Sequence, residues 1–270
     1  MKLVTVFFDF EAPFLWKNES KFDLEATIFK IAEVLEKYNV QAVFNTCGVV
    51  AQKYPKLITK LHDEGHEIAS HGYAHENLME ATVTELNDIL AKTEQIIQDI
   101  IGKKPVGIRA PRLMANEQVY DVLKNRKYIW ASNLYTPFWA TRSRVNSGDT
   151  SQLKFALGRT IYTLKRFSQK KRPFLKDSLV EIPLLSPMDI YCIYPFPEAP
   201  KLSPESSLDE AFRILVTHYI SSKTYFNLNF HEHVIGTVNR IRLLERILSY
   251  LTEQPDTSFA LPKQIVSSFN

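Results

Sequence analysis

A chain of 270 residues, 45% apolar and 23% charged, is long enough to bury a sizeable core as one large α/β domain or two small ones. It has no run near the ~20 apolar residues of a bilayer-spanning helix, and its two cysteines, Cys47 and Cys192, rule out a disulfide framework. The formal net charge of +3 is unevenly placed: residues 142–176 carry +9, with ten Lys or Arg against Asp149, and the rest carries −6.

The first residues, MKLVTVFFDFEAP, are apolar only up to Asp9 and lack a small-residue cleavage site. They read as a strand from Leu3 to Phe8, not as a signal peptide, and a reduced cytoplasmic protein is expected. Leu24–Tyr38 has Ile28, Ile31, Ala32 and Leu35 at helical spacing. Ala42–Phe44 is a second strand, Pro55–Glu64 a short helix stopped by Gly65, and His66–Ser70 a third strand. Thr82–Ile101 reads as a long helix, with Glu85 in its first turn and Gly102 closing it. Strand Val106–Ala110, helix Asn116–Asn125 and strand Tyr128–Ser132 follow. An aromatic and basic insertion, 134–178, interrupts the alternation. It resumes with strand Leu179–Leu184, a helix from about Pro204 to Tyr219, strand Tyr225–His231, helix Val238–Leu251 and a last strand near Phe259.

Strand then helix, repeated about seven times, predicts a parallel barrel or a doubly wound sheet. No Gly-rich phosphate loop follows the first strand and only eight glycines are present, which favours a single-domain barrel over a dinucleotide fold.

In such a barrel the chemistry gathers at the C-terminal ends of the strands. Those ends read Asp9-Phe10-Glu11, then Ser70-His71 with His75 one loop on, then Arg109-Ala110-Pro111, then His231-Glu232-His233. Asp9 and Glu11, two apart on an extended chain, face the same way. The stretch HEIASHGYAH (66–75) alone holds three of the seven histidines. Imidazoles and a carboxylate suit zinc or a similar divalent ion, and a second carboxylate beside an arginine suits a base. No G-x-S-x-G motif points to a serine nucleophile.

The stretch VQAVFNTCGVVAQKYPKLITKLHDEGHEIASHGYAHENL, with GKKPVGIRAPRL, LVEIPL and FHEHVIG after it in order, resembles the polysaccharide deacetylase (NodB-homology, carbohydrate esterase family 4) family. The likeness covers most of the chain outside 134–178. It implies a distorted (β/α)7 barrel and metal-dependent removal of an N-acetyl group from an amino sugar. By that resemblance Asp9 is the catalytic base, Arg109 its positioner and His231 the general acid, with His233 an alternative. His71 and His75 are metal ligands with Glu11 as the third, holding Zn2+ or Co2+, Ni2+ or Mn2+ in its place. The chain departs from the pattern three times. Glu11 stands where aspartate is usual, Gly72 lies between the histidines, and Ala131-Ser132-Asn133 lacks the aspartate that tunes the histidine acid. The last bears on the strength of the general acid.

Among the aromatic residues, Trp130, Trp139 and Tyr73 are candidates for stacking on a sugar, against the alternative that such clusters only cover a barrel end. Leu153, Leu157, Ile161, Leu164 and Phe167 share one helical face flanked by basic residues. A helix docked on the barrel or a contact with a membrane surface or anionic lipid over 153–176 both fit, and nucleic acid is disfavoured. The leading expectation is therefore a deacetylase of a lipid- or nucleotide-linked amino sugar, cytoplasmic or peripheral at the inner membrane face. A catalytically silent glycan- or partner-binding barrel and a cyclic-amide hydrolase are the alternatives.

Overall fold

The structure, a computed structural model, describes residues 1–12, 23–135, 170–186, 188–189, 204–237 and 239–269. Strand β1, Lys2–Phe10, is buried along almost its whole length because both faces are covered, as expected of a parallel-sheet strand. Val4, Val6, Phe8 and Phe10 point outward into the main core, whereas Phe7 joins a second cluster inside the barrel. That inward row continues in Asp9.

β1 lies beside β2 (Val43–Thr46), which is followed by β3 (Glu67–Ser70), β4 (Gly107–Ile108), β5 (Trp130–Ala131) and β7 (Leu179–Glu181). On its other side is β8 (Tyr225–His231). All six neighbouring pairs in the order β7-β5-β4-β3-β2-β1-β8 are parallel, giving a run of seven strands. This is the curled (β/α)7 barrel anticipated from the sequence. Two further strands decorate it. β6 (Phe174–Lys176) pairs antiparallel with β7, and β9 (Thr257–Phe259) pairs with the start of β1.

Helices pack around the sheet. α1 (Leu24–Lys37) is capped by Asp23, whose side chain accepts from the Ala26 N–H, and it buries Leu24, Ile28, Ile31 and Leu35. α2 (Gly48–Lys53) and α3 (Pro55–Asp63) lead back to β3. α4 (Val83–Ile101) starts at a reciprocal Thr82–Glu85 capping box and stops at left-handed Gly102, as its sequence signals indicate. α5 (Glu117–Asn125) and α6 (Pro204–Ser221) follow. After β8 come the single-turn α7 (Glu232–Ile235), α8 (Ile241–Thr252) and the short α9 (Pro262–Val266).

Residues Leu261, Ile265 and Val266 at α9 plug the barrel end opposite the strand C-termini, packing with Phe7, Tyr225 and Trp130. The reading of Trp130 as a sugar platform is corrected here. It is fully buried, its Nε1 donates to Glu67 at 2.7 Å, and its ring meets Phe7 edge-on. The room for the indole comes from Gly107 on the neighbouring strand, where any Cβ would lie 1.7 Å from the ring. Trp139 lies outside the described residues, as does the predicted amphipathic face over 153–167.

The seam of the barrel is unusual in its chemistry. Among the described residues no backbone ladder joins β7 to β8. Asn227 closes the gap instead, donating to the Pro183 carbonyl at 2.9 Å and accepting from the Leu185 N–H at 2.8 Å. Asn229 adds a bond to the Ser186 hydroxyl at 3.2 Å.

Candidate active site

β1 and β8 are in register with Asp9 opposite His231, so their ends deliver both side chains to one rim. Asp9 is buried, and its Oδ1 accepts from Arg109 Nη1 at 2.9 Å and from Asn45 Nδ2 at 2.8 Å. That leaves Oδ2 toward His231, whose Nε2 is 3.9 Å away. Burial pushes the Asp9 carboxyl up, but Arg109, and after it His71 and His231, outweigh that and hold it below its ordinary range. Arg109 is itself fully buried, its Nη2 donating to Asn229 Oδ1 at 2.9 Å and to Ser132 Oγ at 3.1 Å.

Glu11 follows the end of β1, and the chain leaves the site at Ala12, which has φ 57 and an N–H bonded to the Glu232 carboxylate. The Glu11 Oε1 lies 3.3 Å from His71 Nε2 and 3.2 Å from His75 Nε2. His71 Nδ1 is 2.7 Å from the Arg109 carbonyl, which can only accept, so Nδ1 carries a proton and Nε2 is turned toward Glu11. The extra methylene of glutamate is thus accommodated. His75 reaches the cluster from a left-handed backbone, φ 61, an uncommon conformation for a residue with a Cβ.

Gly72, between the histidines, has φ +70, and an added Cβ would meet Glu76 Oε2 at 3.0 Å and the Pro111 ring at 3.2 Å. Gly72→Ala should therefore cost about 1–2 kcal/mol for the left-handed backbone alone. The expected result is a lower thermal midpoint, and an unchanged midpoint would show that the loop relaxes.

The site holds a carboxylate that the sequence reading missed. His231 Nδ1 is 2.7 Å from Asp189 Oδ1, and the His231 N–H donates to Asp189 Oδ2 at 2.7 Å. Burial alone would lower the imidazole, but Asp189 overcomes it and raises His231 to about 10. The carboxylate beside the histidine thus arrives from the segment after β7, not from β5, where Ser132 serves Arg109. His231 Nε2 lies 3.9 Å from Asp9 and 3.8 Å from Glu11, whereas His233, on α7, has Nδ1 3.7 Å from the Glu232 carboxylate.

Tyr73 is also corrected. Its hydroxyl donates to Gln52 on α2, and Lys92 of α4 stands 3.6 Å over its ring, because the glycine before it turns the chain outward. Cys47 is buried with Sγ 3.4 Å from the His71 carbonyl, and burial raises its thiol well above the ordinary range, so it is no thiolate nucleophile.

Glu11, His71 and His75 offer three ligand atoms within 4.8 Å of one another. Two ligands about 2.0–2.1 Å from a tetrahedral ion stand roughly 3.4 Å apart. The Glu11–imidazole separations of 3.2 and 3.3 Å match that spacing, so the residues fit a divalent ion.

The rim of a parallel barrel thus brings together a candidate metal triad, a buried Asp–Arg couple and an Asp–His couple. The polysaccharide deacetylase family model matches residues 4–129, and over that stretch the chain is similar to this family. The peptidoglycan-N-acetylglucosamine deacetylase of Bacillus cereus is 38% identical over 89 residues, 33% of this chain and 32% of that protein. The peptidoglycan deacetylase of Helicobacter pylori is 32% identical over 138 residues, 49% of this chain and 45% of that protein. The chain thus spans less than half the length of either curated relative. A Mycobacterium smegmatis structure assigned to the polysaccharide deacetylases aligns with TM-score 0.73 at 20% identity, over 98% of this chain and 89% of its own, a likeness of fold.

Proposed function

We propose that the protein is a divalent-metal-dependent hydrolase that removes the acetyl group from an N-acetylated amino sugar. The observation that carries this reading is the convergence of Glu11, His71 and His75 beside an ionised, arginine-held Asp9 and a carboxylate-held His231. When bound at the triad, a divalent ion, with zinc the best match to one carboxylate and two imidazoles, supplies Lewis acidity toward water and the acetamide oxygen.

The chain's own groups do the rest. Arg109 and Asn45 occupy one oxygen of Asp9 and leave Oδ2 to take a proton from the attacking water. Asp189 fixes the His231 ring so that Nε2 faces the site and carries a proton to the departing amine. The amine needs that proton, because its anion is far too basic to leave. Arg109 keeps Asp9 ionised without becoming a donor to substrate, since both its terminal nitrogens are taken by Asp9, Asn229 and Ser132.

The substrate class is read more finely from the charge distribution. The +9 segment 142–176 suits a phosphate-bearing partner, so the reading extends to a lipid- or nucleotide-linked amino sugar handled in the cytoplasm or at the inner membrane face.

The test is elemental analysis of the purified protein and of His75→Ala after zinc loading and dialysis. About one equivalent in the parent and almost none in the variant is expected. Acetate release from N-acetylglucosamine oligomers then follows the bound metal. No retained metal in the parent would sink the mechanism and leave a glycan- or partner-binding barrel.

A further inference from the structure

Inside the barrel, one side chain bonds both Arg109 and the segment that carries Asp189. Asn229 is fully buried on β8, two residues before His231 and on the same inward row. Its Oδ1 accepts from Arg109 Nη2 at 2.9 Å, the amine beside the one that holds Asp9. Its Nδ2 donates across the open seam to Ser186 Oγ at 3.2 Å and along the strand to Asn227 Oδ1 at 3.1 Å. Ser186 is three residues before Asp189, on the segment that Asn227 and Asn229 help the His231–Asp189 bonds to dock against β8.

We propose that Asn229 is a positioning residue that ties the guanidinium steering Asp9 to the segment carrying Asp189, so that one side chain holds the proton acceptor and the proton donor in register. The inference rests on the hydrolase reading above and deepens it.

The physical case is one of geometry and satisfaction. Among the described residues β7 and β8 do not share a ladder, so the position of Asp189 relative to β8 depends on its own bonds to His231 and on the asparagine side chains rather than on strand pairing. Without Asn229 the Arg109 Nη2 keeps Ser132 but has one N–H unpaired, and a buried guanidinium in that state costs free energy and shifts to find a partner, which would carry the other amine away from Asp9. An apolar residue at 229 fills the same space but removes both anchors at once. A residue that merely satisfies the interior would affect stability and leave the two proton transfers in their normal proportion.

That difference is measurable, because the two transfers can be read apart. Hydrolysis of an acetamide needs a base for water and an acid for the amine, whereas an aryl acetate expels a phenolate that leaves without a proton. The experiment compares metal-loaded full-length protein with Asn229→Leu and Ser186→Ala on an N-acetylated amino sugar and on p-nitrophenyl acetate. Metal content and thermal midpoint are recorded for each. Asn229→Leu is expected to lose kcat on both substrates, about 10-fold on the ester and about 100-fold on the amide, with KM within about twofold. Ser186→Ala, which spares the Arg109 bond, is expected to lose several-fold on the amide and almost nothing on the ester.

If both variants keep the parent's amide-to-ester ratio, the tether to the donor side is refuted, whatever the absolute rates. Should Asn229→Leu fail to fold, the ratio in Ser186→Ala decides alone. If the parent hydrolyses neither substrate with metal bound, the hydrolase reading fails and this inference goes with it. An active parent with unchanged ratios fails the inference only.

Discussion

Asp9→Asn should lower kcat for acetate release by about 10²–10⁴-fold, the usual contribution of a positioned general base. The substitution keeps the shape of the side chain and an oxygen for Arg109, so the fold of the barrel interior should survive. What it removes is the only charge that can accept a proton at Oδ2, the oxygen left open by Arg109 and Asn45. Because Asp9 is held below the ordinary carboxylate range, principally by Arg109 against its burial, the parent remains ionised well into acid, and no pH restores a base in the variant. Metal content discriminates the readings. Asp9 stands within reach of Glu11 and His231 as well, in a second group able to hold an ion. Full metal retention with lost turnover assigns Asp9 to proton transfer, whereas loss of metal would make it a ligand. Activity within about tenfold of the parent would remove it from the mechanism.

Much of this site was legible because the barrel sorts chemistry by strand position. Asp9, Glu11, His71, Arg109 and His231 all sit at or just past the end of a short strand-like run, and such runs between helical patterns are what this sequence displays most clearly. Asp189 escaped notice for the opposite reason. It follows β7 by eight residues in an irregular stretch, and only the closure of the barrel brings it against His231. A signal was nevertheless present in the polar alternation of Asn227, Asn229 and His231 on β8, since a strand with three inward polar residues must meet partners across the interior.

Trp130 was misplaced because aromatic content does not tell one end of a barrel from the other. The space it fills is set by Gly107, a neighbour known only from strand pairing. Short elements were lost as well. α2, of six residues, and α7, of four, have too few turns to show a period, and β6 is a half-exposed strand whose existence depends on pairing with β7.

Replacing Asp189 with asparagine should convert a proton donor that works in alkaline solution into one that fails above neutrality. Four charged or titratable groups surround His231: Asp189 behind it, Glu11 and Asp9 in front, and His233 beside it. Burial pulls its pKa down, Asp189 provides the largest opposing effect, and Glu11 and Asp9 add less, with the balance at about 10. A cation at the triad offsets the contributions of Glu11 and Asp9 but not that of Asp189, which lies on the far side of the ring. In Asp189→Asn the burial effect is left largely unopposed and the folded pKa falls. The sign follows: a general acid must be protonated, so the variant loses amide hydrolysis as pH rises through the lowered pKa, roughly tenfold per pH unit beyond it. Asp9, held low, is still ionised in mild acid, so the variant should recover much of its rate near pH 5–6, a range estimated from ordinary imidazole behaviour. The measurement is kcat against pH for both proteins on an N-acetylated amino sugar. An alkaline limb that does not move would mean that Asp189 only anchors the ring and that the proton for the leaving amine comes from elsewhere, with the neighbouring His233 the first group to replace.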